Sequence, residues 1–168
     1  RLVEYQSVGR DITERRQAEE ALRASEERYR AFVAQSSEGI WRFETEEPVA
    51  IDLPELEQIT RLYEVAYTAE CNAVFARTFG FETPDQAVGA RIDTILPGED
   101  PKSLDIALAW IRSDYRLTDE EITVTDNEGQ ELTLLINMAG VVEGGCVHRA
   151  WGIFRDVTER RRAAQALL

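Results

Sequence analysis

The sequence predicts an α+β fold: an antiparallel sheet of about five strands, short helices on one face of it, and a long helix ahead of both. Three observations carry this. The runs EEITVT, ELTLLINMAGVV and CVHRAWGIFRDVT are separated only by the turns DNEG and EGG, so they read as consecutive antiparallel strands. Upstream, residues 54–112 hold several short stretches of helical periodicity rather than one long one. Finally, RDITERRQAEEAL (Arg10–Leu22) returns as RDVTERRRAAQAL (Arg155–Leu167), so one junction stands at both ends of the domain.

Each copy of that phrase reads as a strand end entering a helix. LVEYQSVG alternates in strand fashion and is expected to form a strand over residues 2–10. Unpaired, it should dock on a sheet edge or a second copy, or stay disordered. Asp11 with Glu14, and Asp156 with Glu159, have the spacing of a capping box, while Thr13 and Thr158 compete for the N-cap role. A helix is expected over about 13–34, with Ala18, Leu22, Ser25, Tyr29 and Phe32 at heptad steps. It is either an ordinary amphipathic helix or a short coiled coil joining two copies, and the homodimer through this helix is the reading taken.

In the domain itself, GIWRFE is a short strand, and a helix follows Pro54 with Leu56, Ile59, Leu62 or Tyr63, and Ala66 at helical steps. AECNAVFARTFG reads as one short helix stopped by Gly80, and TPDQAVG as another, capped by Thr83 and stopped by Gly89. EDPKSLDIALAWIRS is the clearest helix: Asp100 caps it, Pro101 begins it, and Leu104, Ala107, Leu108 and Ile111 form its apolar face. Along the middle strand, Leu132, Leu134, Ile136 and Met138 share the face that should pack on the helices. Leu135, Asn137 and Ala139 take the other.

Composition excludes several functions. Formal net charge is −13, and Glu38–Glu143 holds 23 acidic and 7 basic residues, a surface that repels a phosphate backbone, so no nucleic-acid partner is expected. No apolar run has the length of a membrane span and no signal peptide is recognisable, so a cytoplasmic chain without membrane contact is expected. Cys71 and Cys146 form neither a disulfide framework nor a zinc motif, and carboxylates are scattered rather than clustered, so no metal is expected. There is no P-loop, glycine-rich kinase loop, nucleophile elbow or nucleophile–base set, so the chain itself is expected to be non-catalytic. It opens on Arg1 rather than Met and is expected to be part of a longer protein.

The order strand, short helices, longer helix, three strands, then RDVTERR resembles a PAS domain over about residues 37–158. The resemblance rests on Asp156-Val157-Thr158 and Asp11-Ile12-Thr13, similar to the Asp-Ile-Thr exit motif of PAS domains in bacterial sensors, and on NAVFARTFGFETPDQAVGARIDTILPGED. It implies a sensor module that relays conformational change through flanking helices to an absent output domain, with a histidine kinase or diguanylate cyclase as the possible whole protein. Residues 1–11 would then be the last strand of a preceding PAS domain, 12–36 a linker helix, 37–158 the PAS domain, and 159–168 the start of the exit helix. Neighbouring PAS and output domains of the same chain would be its partners. Asp11, Thr13, Asp156 and Thr158 are the expected signalling residues.

The resemblance also places any small organic ligand between sheet and helices. Leu108, Leu134 and Ile136, with Leu104, Ile111 and Met138, are the expected walls, and Asn72, Tyr115, Arg116 and Asn137 the polar contacts, Arg116 as a carboxylate clamp. The cofactor stays unknown. Flavin is disfavoured because ECNAVFART departs from the light-sensing subfamily's cysteine helix, and haem because SLDIALAWIRSDYR carries no histidine. The alternative is a ligand-free adaptor for dimerisation and protein–protein contact.

Overall fold

The computed structural model describes residues 2–168, with side chains from Val8 onward. The chain divides into two compact units, residues 1–35 and 36–168.

The first unit is one helix, α1 (Leu2–Gln35). The strand expected over residues 2–10 is therefore corrected to helix. A strand must find a neighbour for its amides, and all five strands of the sheet lie within residues 39–156. A helix instead satisfies those groups within itself. Exposed i,i+4 pairs support it, Arg10 with Glu14 at 3.3 Å, Arg15 with Glu19 at 3.1 Å and Arg23 with Glu27 at 3.7 Å, each worth a few tenths of a kcal/mol at most. Whether the side chains of residues 2–7 dock anywhere lies outside the described residues.

The second unit is a five-stranded antiparallel sheet with helices on one face, as the sequence predicts. β1 (Gly39–Ala50), β2 (Ala66–Cys71), β3 (Arg116–Thr125), β4 (Glu131–Glu143) and β5 (Cys146–Asp156) are ordered β2-β1-β5-β4-β3. The β4–β5 hairpin turns on Gly144 and Gly145, at φ 59° and 71°, a left-handed conformation that glycine adopts without steric cost. Between β1 and β2 lies α2 (Glu55–Val65); between β2 and β3 lie α3 (Ala73–Thr78), α4 (Pro84–Ala87), α5 (Ile92–Ile95) and α6 (Pro101–Arg112). α7 (Thr158–Ala166) leaves the end of β5.

Two elements depart from the sequence reading. AECNAVFARTFG is not one helix: its first residues close the edge strand β2, and Asn72 then caps α3, its Oδ1 accepting from the Phe75 N–H at 3.1 Å. RIDTIL contains the single turn α5, a stretch to which the sequence analysis assigns no element. The long helix is capped as expected, Asp100 accepting from the Lys102 N–H at 3.0 Å. Its buried face, however, is Ser103, Ile106 and Trp110 rather than Leu104, Leu108 and Ile111.

The core sits between the sheet and the helices. Trp41, Phe75 and Phe154 form its aromatic centre, with ring centroids 5.6–6.4 Å apart. Trp41 fits because its cross-strand partner is Gly152, where an added Cβ would collide with the indole. Gly140 makes the same room for Trp110, whose Cζ2 would stand 2.7 Å from an added Cβ.

Candidate functional site

Between the inner face of the sheet and α2, α3, α5 and α6 lies a cavity of about 90 Å³. Its surface is almost wholly carbon, contributed by Phe43, Ile59, Ile106, Leu134, Ile136 and others. Six lining residues carry polar atoms: Trp41, Thr45, Tyr63, Ser103, Trp110 and Arg149. The Tyr63 hydroxyl donates to the Leu96 carbonyl at 2.9 Å and hydrogen-bonds Ser103, and the Thr45 hydroxyl donates to the His148 carbonyl at 3.2 Å. The two indole N–H groups are buried without a partner. Arg149 is exposed and stands opposite Glu44 and Val141 in the sheet, so it meets this space along β5 while its side chain lies on the other face.

α2 closes one side of this space. Buried Gln58 donates to the carbonyls of Ile51 (3.0 Å) and Leu53 (2.8 Å) and accepts from the Tyr115 hydroxyl at 2.6 Å. Arg112 of α6 holds Glu55 of α2 in a two-point pair, at 3.1 and 2.9 Å. That pair lowers the Glu55 carboxyl pKa and raises that of Arg112.

The exit from the sheet is tied to the same strand that lines the cavity. The Thr158 hydroxyl oxygen accepts from the Thr133 N–H at 2.9 Å, and the Val157 N–H donates to the Thr133 carbonyl at 2.9 Å. The Asp156 carboxylate accepts from the Thr158 N–H at 2.9 Å and also from its hydroxyl. Thr133 directly precedes Leu134, which is 1% exposed and lines the cavity. Val157 occupies the N-cap position, so neither the capping box nor Thr158 as cap describes this helix start. The carboxylate reaches it from one residue further out.

A family model described as "PAS domain" matches residues 67–159, more than half of the chain. The chain belongs to the PAS domain family. Solved structures agree in fold: the PAS domain of a protein from Colwellia psychrerythraea (15% identity, 80% of this chain and 98% of that one, TM-score 0.54) and a domain of the sensory box sensor histidine kinase/response regulator from Geobacter sulfurreducens (21%, 80% and 96%, 0.50). An RNA-binding Light-Oxygen-Voltage receptor is similar over 83% of this chain at 21% identity and TM-score 0.54, but the chain spans only 34% of that receptor. No match among curated proteins was found.

The PAS domain distributes the sequence-predicted site residues unevenly. Leu134, Ile136 and Met138 line the cavity, whereas Leu104, Leu108 and Ile111 do not, because α6 turns Ser103, Ile106, Ala107 and Trp110 toward it. Asn72 is buried structure: besides capping α3 it accepts from the Ile40 N–H at 3.0 Å and donates to the Glu38 carbonyl at 2.7 Å, fastening α3 to β1. Tyr115 is buried with φ 59°, packs edge-on to Trp110 and latches Gln58, outside the cavity wall. Arg116 and Asn137 lie in a shallow groove on the opposite face of the sheet with Thr118 and Trp151. There Asn137 exchanges hydrogen bonds with Asp119 at 3.1 and 3.2 Å and holds the bulge of β3, where Asp119 has φ 48°.

Asp11 and Thr13 lie within α1, and the Thr13 hydroxyl donates to the Gly9 carbonyl at 2.8 Å as an interior helical threonine does. Their expected role at a helix start is thus corrected, while Asp156 and Thr158 do stand at one. Sequence reasoning missed Ser103, Ile106 and Trp110 as the inward face of α6, although their steps of three and four were a signal.

Proposed function

We propose that this PAS domain is a cytoplasmic sensory input module that takes a small molecule into the cavity and passes the change through α7 to an output domain elsewhere in a longer chain. The observation that carries the reading is the adjacency on β4 of Leu134, a cavity wall, and Thr133, the anchor of the exit helix. A ligand that favours one sheet–helix arrangement shifts the position of β4 and therefore the stability of the first turn of α7. Among the described residues no helix is long and apolar enough to cross a membrane, and no cluster of three or more His, Cys, Asp or Glu could hold a metal.

The likeness to a Light-Oxygen-Voltage receptor raises flavin as a cofactor. The residues present do not fit it. A cavity of about 90 Å³ walled by carbon has neither the room nor the polar groups for an isoalloxazine ring. Cys71 ends β2 rather than standing on a helix, and burial, with Glu70 and Asp85 nearby, pushes its thiol up to about 11, away from the thiolate form. For haem, the only histidine, His148, lies on β5 with Nε2 3.1 Å from the Glu143 carbonyl.

A second reading, assembly through α1, is favoured by Leu22 and Phe32, 62% and 66% exposed at heptad spacing. Sedimentation tests it directly, since Leu22→Glu should turn a homodimer into a monomer. The sensing reading is tested by thermal melts with toluene, a neutral probe of cavity size. Binding to the folded state raises the unfolding temperature by mass action, and Ala107→Trp, which fills the cavity, abolishes the rise. An unfolding temperature indifferent to toluene favours the assembly reading.

A further inference from the structure

We infer that the ligand of this cavity is an uncharged, wholly apolar molecule of single-ring size, one that presents no hydrogen-bonding group. The inference rests on the sensing reading above and deepens it by naming the class of molecule.

The walls decide the class. Apolar cavities of roughly 150 Å³ take benzene or xenon, and this one, at about 90 Å³, is of the same order. Its surface is carbon nearly throughout. The hydroxyls of Thr45, Tyr63 and Ser103 are spent on backbone carbonyls or on one another. The indole nitrogens of Trp41 and Trp110 are themselves buried and expose no surface to it. The Trp41 ring lies against Gly152, and Cζ2 of Trp110 against Gly140.

Nor is there charge to meet an ion. No aspartate, glutamate, lysine or histidine lines the space, and the one arginine that meets it, Arg149, carries its side chain on the other face of the sheet. An ion entering would lose its hydration and gain no counter-charge. A neutral polar group fares little better. A buried water needs about two to four polar partners, and a ligand hydroxyl against these walls finds none. An apolar molecule gives up nothing polar and gains both its release from water and contact with the walls. Selection is therefore by exclusion: the site discriminates through what it declines to hydrogen-bond.

Toluene and phenol form the test pair, since they share the ring, differ by methyl against hydroxyl, and are both uncharged near neutral pH. Binding to the intact chain is followed by tryptophan fluorescence, with two of the three tryptophans in the cavity wall, and by thermal shift. The expected result is that phenol binds at least about tenfold more weakly than toluene, a gap of about 1.4 kcal/mol from the unpartnered hydroxyl. Ile122→Thr, on the edge strand β3 opposite Leu134, adds a hydroxyl to the cavity wall and should narrow that gap severalfold. If phenol binds the natural chain as tightly as toluene, the apolar class is overturned and the sensing reading stands. An unchanged gap in folded Ile122→Thr shows that the walls do not set the preference, and this inference falls alone. Should that variant not fold, the comparison in the natural chain decides. If neither probe binds, the sensing reading fails and this one with it.

Discussion

The two copies of the repeated phrase share most of their residues and are both helical from the threonine onward, yet only the second is a junction. In Arg10–Leu22 the aspartate, threonine and glutamate lie inside a continuous helix, exposed, with Thr13 bonded to a carbonyl of its own helix. In Arg155–Leu167 the same residue types turn a strand into a helix, and Thr158 is bonded to Thr133 of the neighbouring strand. What differs is the neighbour. Where β4 stands beside the phrase, its amides are met by the sheet and the aspartate bends back to the first turn. In α1 the helix simply runs through the phrase, since a helix satisfies its own backbone. The phrase encodes a junction only in the presence of a sheet.

Substitutions at matched positions sharpen this contrast. The largest difference is expected between two leucines. Leu134→Ala should cost about 2–5 kcal/mol, because it empties a wall that is fully buried, whereas exposed Leu22→Ala on α1 should cost less than about 0.5 kcal/mol in a monomer. Denaturation followed by tryptophan fluorescence reports the second unit alone, since Trp41, Trp110 and Trp151 all lie beyond Gln35. Equal losses at the two leucines would break the comparison.

The junction residues come next. Thr158→Val leaves the Thr133 N–H without its acceptor and should cost about 2 kcal/mol, and Asp156→Ala somewhat less. Thr13→Val and Asp11→Ala, in the other copy, should each stay within about 0.5 kcal/mol by the same measurement.

A further effect, on the second unit alone, is one of pH. The buried Cys71 thiol titrates near 11 in the folded domain, against about 9 when unfolded. Below pH 9 both states keep the proton. Between about 9 and 11 the unfolded thiol ionises first, so stability falls as pH rises through that window, by about 1 kcal/mol. Cys71→Ala should flatten this part of the stability profile of the second unit. Tyr63 and Tyr115, raised by burial, extend the same trend to higher pH.

The fold was legible in the sequence where short-range signals are strong: glycine turns between β3, β4 and β5, the Asp100-Pro101 start of α6, and the alternation that turns Leu134 and Ile136 inward. β2 was not, because helical steps from α2 continue to Ala66 and hide a six-residue edge strand. The site was half legible. α6 carries two apolar stripes, and spacing alone does not say that Ser103, Ile106 and Trp110 face inward in preference to Leu104, Leu108 and Ile111. Arg116 looked like the anchor because it follows α6 directly, yet the left-handed turn at Asp114 and Tyr115 carries the chain round to the far face of the sheet, as the pairing of Arg116 with Ala139 records.

The link between cavity and exit helix is tested most directly by hydrogen exchange of the α7 amides, in the chain free and saturated with toluene. The expected result is a change in protection across Arg160–Ala166 in the natural chain, and no such change in Asp156→Ala although toluene still raises its unfolding temperature. Unaltered α7 exchange in the natural chain, with toluene bound, would contradict the link.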